Sequence, residues 1–155
     1  MKLPVTPSFS LQGRRALVAG GSSGIGLGCA VALAEAGAHV VVMARRKDQL
    51  DTVVAAMTDA GHSAEALVGD LADIEATSTF IDAIRPLDVF VNSAGMARHS
   101  PAIETAADDF DAVMNVNLRG AYFASQAVAK ALIADGRPGS IINISSQMAI
   151  VGGVD

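Results

Sequence analysis

The chain has 155 residues, which suits one domain, and 51% of them are hydrophobic, enough to bury a core. The net charge is −5 and no basic run is longer than Arg45-Arg46-Lys47, which argues against nucleic acid or an anionic membrane as the partner. The single cysteine, Cys29, excludes an internal disulfide and is typical of a reducing compartment, so we expect a cytoplasmic protein.

The first ten residues predict a flexible tail, because residues 1–10 contain two prolines and no apolar run of signal-peptide length. The stretch that follows, from Ala16 to Ala34, carries no charge and is almost long enough to span a membrane. Its middle, residues 20–26, is rich in glycine and serine. A strand, a glycine turn and a helix therefore explain this stretch better than one membrane-spanning helix.

Short apolar runs rich in β-branched residues alternate with stretches of helical period along the rest of the chain. The apolar runs predict five strands: Ala16–Ala19, Val40–Ala44, Ala66–Val68, Val89–Val91 and Ile141–Ile144. Such alternation predicts an α/β fold, a Rossmann-type doubly wound parallel sheet in three α/β/α layers. The expected strand order is 3-2-1-4-5, and the sheet is expected to be truncated after the fifth strand.

Two helices are indicated by their apolar stripes. One stripe consists of Leu50, Val53, Val54 and Met57, at the spacing i, i+3, i+4 and i+7. The other runs from Phe110 to Ser125 and includes Asn117, which is therefore expected to be buried. Two glycines stand where helices should end: Gly37 and Gly61.

The turn after the first predicted strand is a candidate phosphate-binding loop. It reads Gly20-Gly21-Ser22-Ser23-Gly24-Ile25-Gly26 and leads into a helix. Glycines let the backbone approach a pyrophosphate, and the helix N-terminus offers free N–H groups and the positive end of a dipole. The alternative is a tight strand-to-helix turn without a ligand. The position of the loop between the first strand and the first helix favours phosphate binding.

The spacing of this loop resembles the short-chain dehydrogenase/reductase family, whose pattern is T-G-x-x-x-G-I-G, with Ala19 here in place of the threonine. Four further segments resemble that family in the same order, so the resemblance extends from about Leu11 to the end of the chain. They are Val68-Gly69-Asp70-Leu71, Asn92-Ser93-Ala94-Gly95, Asn115-Val116-Asn117-Leu118-Arg119-Gly120 and Ile142-Asn143-Ile144-Ser145-Ser146.

The resemblance implies that residues 1–155 form a single dinucleotide-binding domain, incomplete at its C-terminus. Ala44 occupies the position at which the family carries an acid when it selects NAD, and Arg45 follows it. A small residue leaves room for a 2′-phosphate that a guanidinium could bind, so NADP(H) is expected to be preferred, with NAD(H) also accepted. The alternative is a solvated basic start of a helix. The residues expected to bind the cofactor are Gly20, Ser22, Ser23, Gly24, Ile25, Gly26, Arg45, Arg46, Asp70, Leu71, Asn92, Ala94 and Gly95.

Two residues are implied to be catalytic. Asn117 matches an asparagine that holds a water in a proton relay; the alternative is an amide bonded to a neighbouring loop. Ser146 matches the serine that polarises the substrate oxygen, and is preferred to Ser145 because the family usually uses the second of such a pair. The alternative for either serine is a hydroxyl that only bonds the turn. No metal is expected, since His39, His62 and His99 show no ligand spacing.

The implied chemistry is hydride transfer between a nicotinamide and the carbonyl or secondary alcohol of a sugar, polyol or 3-oxoacyl substrate, in a homo-oligomer of two or four copies. The family's Tyr-x-x-x-Lys pair would begin four residues past Asp155, and Tyr122 is followed by Gln126 rather than by a lysine. We therefore expect residues 1–155 alone to be inactive. Two interpretations stay open: an enzyme seen in part, or a non-catalytic nucleotide-binding fragment. A methyltransferase on the same kind of sheet is disfavoured by residues 92–95, Asn117 and Ser146.

Overall fold

A five-stranded parallel sheet forms the centre of residues 8–151, the part of the chain that the computed structural model describes. Its strands are β1 (Arg15–Ala19), β2 (His39–Ala44), β3 (Ala64–Val68), β4 (Val89–Asn92) and β5 (Ser140–Asn143). They lie in the order β3-β2-β1-β4-β5, which confirms the predicted order. Of the predicted N-terminal tail, residues 1–7 lie outside the described residues, and residues 8–10 are exposed without regular structure.

Helices cover both faces of the sheet, which confirms the three-layer α/β/α arrangement. The helices are α1 (Gly24–Glu35), α2 (Lys47–Asp59), α3 (Ile74–Ala83), α4 (Ala107–Met114) and α5 (Ala121–Ala134). Successive strand residues point to opposite faces, so Ala16 and Val18 pack with α1 and α2, whereas Leu17 and Ala19 pack with α3 and α5. Strands buried on both faces explain the continuous apolar runs in the sequence.

The second helix and the two predicted helix ends agree with the sequence. In α2, Leu50 and Met57 are buried, and the valines between them are partly buried. Gly37 and Gly61 follow α1 and α2 with φ angles of +101° and +86°. Glycine adopts this left-handed conformation without steric penalty, and so the chain can leave each helix sharply.

The expectation of one long helix with a buried apolar stripe from Phe110 to Ser125 is wrong in two respects. A π-helical segment, Asn115–Gly120, separates α4 from α5. The stripe also faces outward in the described residues, since Phe110 is 56% exposed and Leu118 is 59% exposed. The buried face instead begins at Gly120, where a Cβ atom would lie only 2.5 Å from the carbonyl oxygen of Leu71. The sequence contains two apolar faces, and the one with the smaller residues packs against the core.

The amino end of the sheet is closed by an ionic cluster around Asp88, which immediately precedes β4 and is 5% exposed. Its carboxylate accepts hydrogen bonds from the Arg15 backbone N–H at 2.9 Å, from Arg14 Nη1 at 2.9 Å and from Arg137 Nη2 at 2.6 Å. Burial alone would raise the pKa of Asp88, but these hydrogen bonds lower it below its usual value. The cluster therefore joins three distant segments of the chain through one charged group.

Candidate functional site

A cleft of 850 Å³ opens at the carboxyl ends of the five strands. Its lining includes the last residues of four strands, Ala19, Ala44, Asn92 and Asn143, and Gly69 directly after β3. Ligands of open parallel sheets bind at this edge, where the strand order reverses beside the first strand. The cleft is therefore the candidate functional site.

Most of the residues predicted to bind a cofactor or to act in catalysis meet in this cleft. Those that line it are Gly20, Ser22, Ser23, Ile25, Arg45, Arg46, Asp70, Leu71, Asn92, Ala94, Gly95, Asn117 and Ser146. Gly24 and Gly26 are not part of the lining. Gly24 begins α1 with a φ angle of +54°, and Gly26 is buried beneath the loop. These two glycines shape the loop without facing the cleft.

The glycine loop is packed so tightly that side chains are excluded at two positions. A Cβ atom on Gly26 would lie 2.2 Å from the carbonyl oxygen of Gly20. One on Gly20 would lie 2.7 Å from the backbone of Ser93 and Ala94, so the loops after β1 and β4 are in direct contact. Ser23 is the N-cap residue of α1, but its side chain makes no capping hydrogen bond, and the first turn of the helix has no acidic residue. Its first N–H groups are therefore available to an anion, and the loop fits a pyrophosphate.

The far side of the cleft, at the ends of β2 and β3, carries two cations and one carboxylate. Arg45 and Arg46 follow Ala44, so no acid occupies the end of β2. Asp70 follows β3, and one of its carboxylate oxygens accepts a hydrogen bond from the Ala72 backbone N–H at 3.0 Å. The other oxygen lies 3.9 Å from Arg45 Nη1. The two guanidinium groups could form charge-assisted hydrogen bonds with a phosphate.

The side chain of Asn92 lies buried at the floor of the cleft, where it bonds neighbouring protein groups. Its side chain is 5% exposed; Nδ2 donates to Asn143 Oδ1 at 3.1 Å, and Oδ1 accepts from the Ala94 backbone N–H at 3.2 Å. Asn143 belongs to the cleft lining and was missed by the sequence reasoning. A signal for it existed, because Asn92 and Asn143 end neighbouring strands and face each other in register.

Asn117 is exposed, so the expectation of a buried amide is wrong. Its π-helical turn lies at the rim of the cleft, whereas the buried face of these helices begins at Gly120. The amide is nevertheless bonded at both of its polar atoms: Oδ1 accepts from the Met96 backbone N–H at 2.9 Å, and Nδ2 donates to the Met96 carbonyl at 2.8 Å. Asn117 thus fixes the loop that follows β4, which is the alternative considered for it, and its role in a proton relay stays a prediction.

Both candidate serines line the cleft just after β5. Ser146 precedes a short 3₁₀ turn (Gln147–Ala149), and its Oγ accepts a hydrogen bond from the Met148 backbone N–H at 3.1 Å. A hydroxyl that accepts one bond still has its own proton to donate, so this contact leaves Ser146 able to bond a substrate oxygen. The choice of Ser146 over Ser145 stays a prediction.

The remaining titratable candidates lie away from the cleft. His39 begins β2, as expected for a strand start, and its Nδ1 lies 2.7 Å from Ser63 Oγ. His99 is exposed in the loop before α4 and is not part of the cleft lining. Among residues 8–151 no group of three or more His, Cys, Asp or Glu side chains is placed to hold a metal ion. Within the same range, no helix has both the length and the apolar character needed to cross a membrane.

The sheet order, the glycine loop and the cleft at the strand ends define a doubly wound α/β protein of the Rossmann type. A family model described as short chain dehydrogenase matches residues 14–154. The chain belongs to the short-chain dehydrogenase family.

Among its relatives are enzymes that act on sugars. L-xylulose reductase of Mesocricetus auratus is 44% identical over 139 residues, which cover 90% of this chain and 55% of the relative. Gluconate 5-dehydrogenase of Gluconobacter oxydans is 40% identical over 142 residues, covering 89% of this chain and 55% of the relative. The chain thus spans little more than half the length of these relatives.

The same likeness holds in three dimensions. The crystal structure of a gluconate 5-dehydrogenase from Burkholderia cenocepacia, in complex with NADP and tartrate, superposes with a TM-score of 0.87 and 38% sequence identity. The match covers 95% of this chain and 59% of that one.

Proposed function

We propose that this chain is the cofactor-binding part of an NADP(H)-dependent oxidoreductase that acts on a carbonyl or secondary alcohol. The observation that carries the proposal is the content of one cleft. It brings together the glycine loop, two arginines at a strand end that lacks an acid, and the polar pair Asn117 and Ser146. The arginines and the polar pair lie on opposite sides of β1, as the two halves of a dinucleotide require.

The residues present fit NADP(H). Gly20 and Gly26 allow the loop to pack more closely than a Cβ atom would permit, and the first turn of α1 offers N–H groups to the pyrophosphate. Arg45 and Arg46 would bind the 2′-phosphate, and Asp70 the adenine edge. The loop through Asn92, Ala94 and Gly95 and the Leu71 side of the cleft would enclose the rest of the dinucleotide. When bound, this cofactor supplies or accepts the hydride.

The protein's own contribution to the chemistry is to orient the substrate and to polarise it. Ser146 would donate a hydrogen bond to the substrate oxygen, while the N–H of Met148 holds its Oγ in place. Asn117 would keep the Met96 backbone, and with it the rim of the cleft, in a fixed position and would support a water in the proton relay. Such preorganised contacts favour the reacting geometry without reorganisation during the reaction.

The 155 residues alone are proposed to bind the dinucleotide without turning over substrate. The only tyrosine of the sequence, Tyr122, lies on α5, is 62% exposed and does not line the described cleft. A positioned proton donor contributes about 10²–10⁴-fold to such reactions. The position of Tyr122 outside the cleft is the observation that keeps nucleotide binding without catalysis as the second candidate function of residues 1–155.

A sugar, polyol or sugar acid is the proposed substrate class, since the named relatives are an L-xylulose reductase and a gluconate 5-dehydrogenase. A 3-oxoacyl thioester is the competing class. The test follows NADPH absorbance in full-length protein with ketoses, keto-acids of sugars and 3-oxoacyl thioesters. Faster oxidation with the sugars is expected. Preference for a thioester would overturn the substrate class, and turnover by residues 1–155 alone would overturn the proposal that they only bind.

Assembly into a homo-oligomer of two or four copies is also proposed. Its support is the outward apolar face of α4, the π-helical segment and α5. The large exposed side chains on this face are Phe110, Met114, Leu118 and Tyr122. Contiguous apolar surface of this kind commonly marks a protein interface. Light scattering coupled to gel filtration tests the assembly, and a monomer at all concentrations would contradict it.

A further inference from the structure

The ends of β2 and β3 place opposite charges side by side in the cleft. The two strands pair in register up to Ala44 and Val68, and the Gly69 N–H donates to the Ala44 carbonyl at 3.0 Å. Arg45 and Asp70 therefore leave neighbouring strand ends. Asp70 Oδ2 and Arg45 Nη1 are 3.9 Å apart, and both side chains line the cleft.

The carboxylate of Asp70 is held in this position by the backbone. Its Oδ1 accepts the Ala72 N–H at 3.0 Å, so the second oxygen stays turned toward Arg45. The preceding residue, Gly69, packs against the side chains of Met43 and Phe80. A fixed negative charge thus lies beside the guanidinium that is the candidate ligand of a 2′-phosphate.

We propose that Asp70 limits the preference of this site for NADP(H) over NAD(H). The inference rests on the proposed function, because it concerns the same cleft and the same cofactor. The Asp70 carboxylate competes with a 2′-phosphate for the Arg45 guanidinium. NAD(H) has no 2′-phosphate, so its binding does not depend on this competition. Asp70 is in this sense a specificity-determining residue that narrows the margin by which an arginine-containing site favours NADP(H).

The test is the Asp70→Asn variant, titrated calorimetrically with NADPH and with NADH. Asparagine keeps an oxygen for the Ala72 N–H and nearly the same volume, and removes only the charge. We expect the ratio of the NADH to the NADPH dissociation constant to rise about two- to fivefold, the range of an exposed ion pair. The two dinucleotides share the adenine, so any change in contacts with that base cancels in the ratio.

Two controls isolate the pair. Asp73→Asn removes the same charge from the N-cap of α3, outside the cleft lining, and should leave the ratio unchanged. In an Arg45→Ala background, Asp70→Asn should change the ratio much less than it does beside an intact arginine, because the competition has been removed.

The outcomes separate the inference from the proposed function. An unchanged or lower ratio in Asp70→Asn, with both dinucleotides bound by the wild type, would overturn the role of Asp70 alone. An equal rise of this ratio in Asp73→Asn would show that the effect comes from the net charge of the protein, and would also overturn the role of Asp70. If the wild type bound neither dinucleotide, the proposed function itself would fall.

Discussion

At the amino end of the sheet the carboxylate of Asp88 is enclosed by three donors from its own chain, whereas at the carboxyl end Arg45 and Ser146 face an open cleft. The buried carboxylate at the first end finds its partners within the protein. At the second end, Ser146 is oriented by a single backbone contact from the Met148 N–H and keeps the capacity to bond a ligand. In this parallel sheet, the ionic cluster at the amino ends of the strands therefore stabilises the fold, whereas Arg45 and Ser146 at the carboxyl ends are available to bind a ligand.

Of the substitutions considered, removal of the proposed catalytic hydroxyl at the cleft should have the largest effect, and the effect should be on catalysis. In full-length protein, Ser146→Ala is expected to lower kcat by about 10²–10³-fold, since a donor aimed at the reacting oxygen is lost. The affinity for NADPH should stay near that of the wild type. Steady-state kinetics together with an NADPH titration measure both quantities. A larger loss in Ser145→Ala would show that the wrong serine has been chosen.

Removing the charge at the amino end should act on stability instead. Asp88→Ala leaves the Arg15 N–H and two guanidinium groups without their partner, and should lower the free energy of unfolding by about 3 kcal/mol. Under folding conditions, NADPH affinity should change little. Urea unfolding measures the loss. Asp82→Ala is the control, because Asp82 is exposed and its ion pair with Arg85, at 3.5 Å, is long and weak. Equal effects of the two substitutions would contradict the special role of the buried carboxylate.

Substitution of two glycines of α1 should have different effects, because one lies under the glycine loop and the other does not. Gly26→Ala would place a Cβ atom 2.2 Å from the Gly20 carbonyl oxygen, and the loop can yield only by moving. We expect a loss of about 1–3 kcal/mol in NADPH binding or in stability. Gly28 lies two residues further on, and a Cβ there meets nothing within 4 Å. Gly28→Ala should be neutral or stabilising by up to about 1 kcal/mol, because alanine favours the helix.

Acid should weaken the amino end by a smaller amount. Because the pKa of Asp88 in the folded chain is below that of an unfolded aspartate, about 3.9, its stabilising contribution is fully present above that pH. The contribution is lost as the pH falls through the folded pKa. The difference in unfolding free energy between wild type and Asp88→Asn should therefore narrow in acid. A difference that stayed constant down to about pH 2 would contradict this account.

The sequence carried enough information to predict the fold and most of the cleft. Strand order followed from alternating apolar runs, and the glycine loop from its position between β1 and α1. Both are local patterns joined by general rules of chain connection. The expected roles of Asp70 and Asn117 came from the family resemblance, whereas Ser146 was also expected at this edge because it follows a parallel strand.

Other features depend on packing that a pattern cannot express. The partners of Asp88 lie 74 and 49 residues away along the chain, so no spacing points to the ionic cluster. The helices over residues 107–134 have two apolar faces, and periodicity alone does not choose between them. The face with Gly120 and Ala124 packs inward because small residues allow a close approach, and Asn117 is left at the rim.

The most direct test of the central claim is calorimetric titration of the chain with NADPH and with NADH, for the wild type and for Arg45→Ala. The account predicts tighter binding of NADPH by the wild type. It also predicts that Arg45→Ala weakens the binding of NADPH by about 1.5–3 kcal/mol, the range for a lost charged hydrogen bond. The binding of NADH should be almost unchanged. Tighter binding of NADH by the wild type, or equal losses for the two dinucleotides in Arg45→Ala, would contradict the assignment of this cleft to NADP(H).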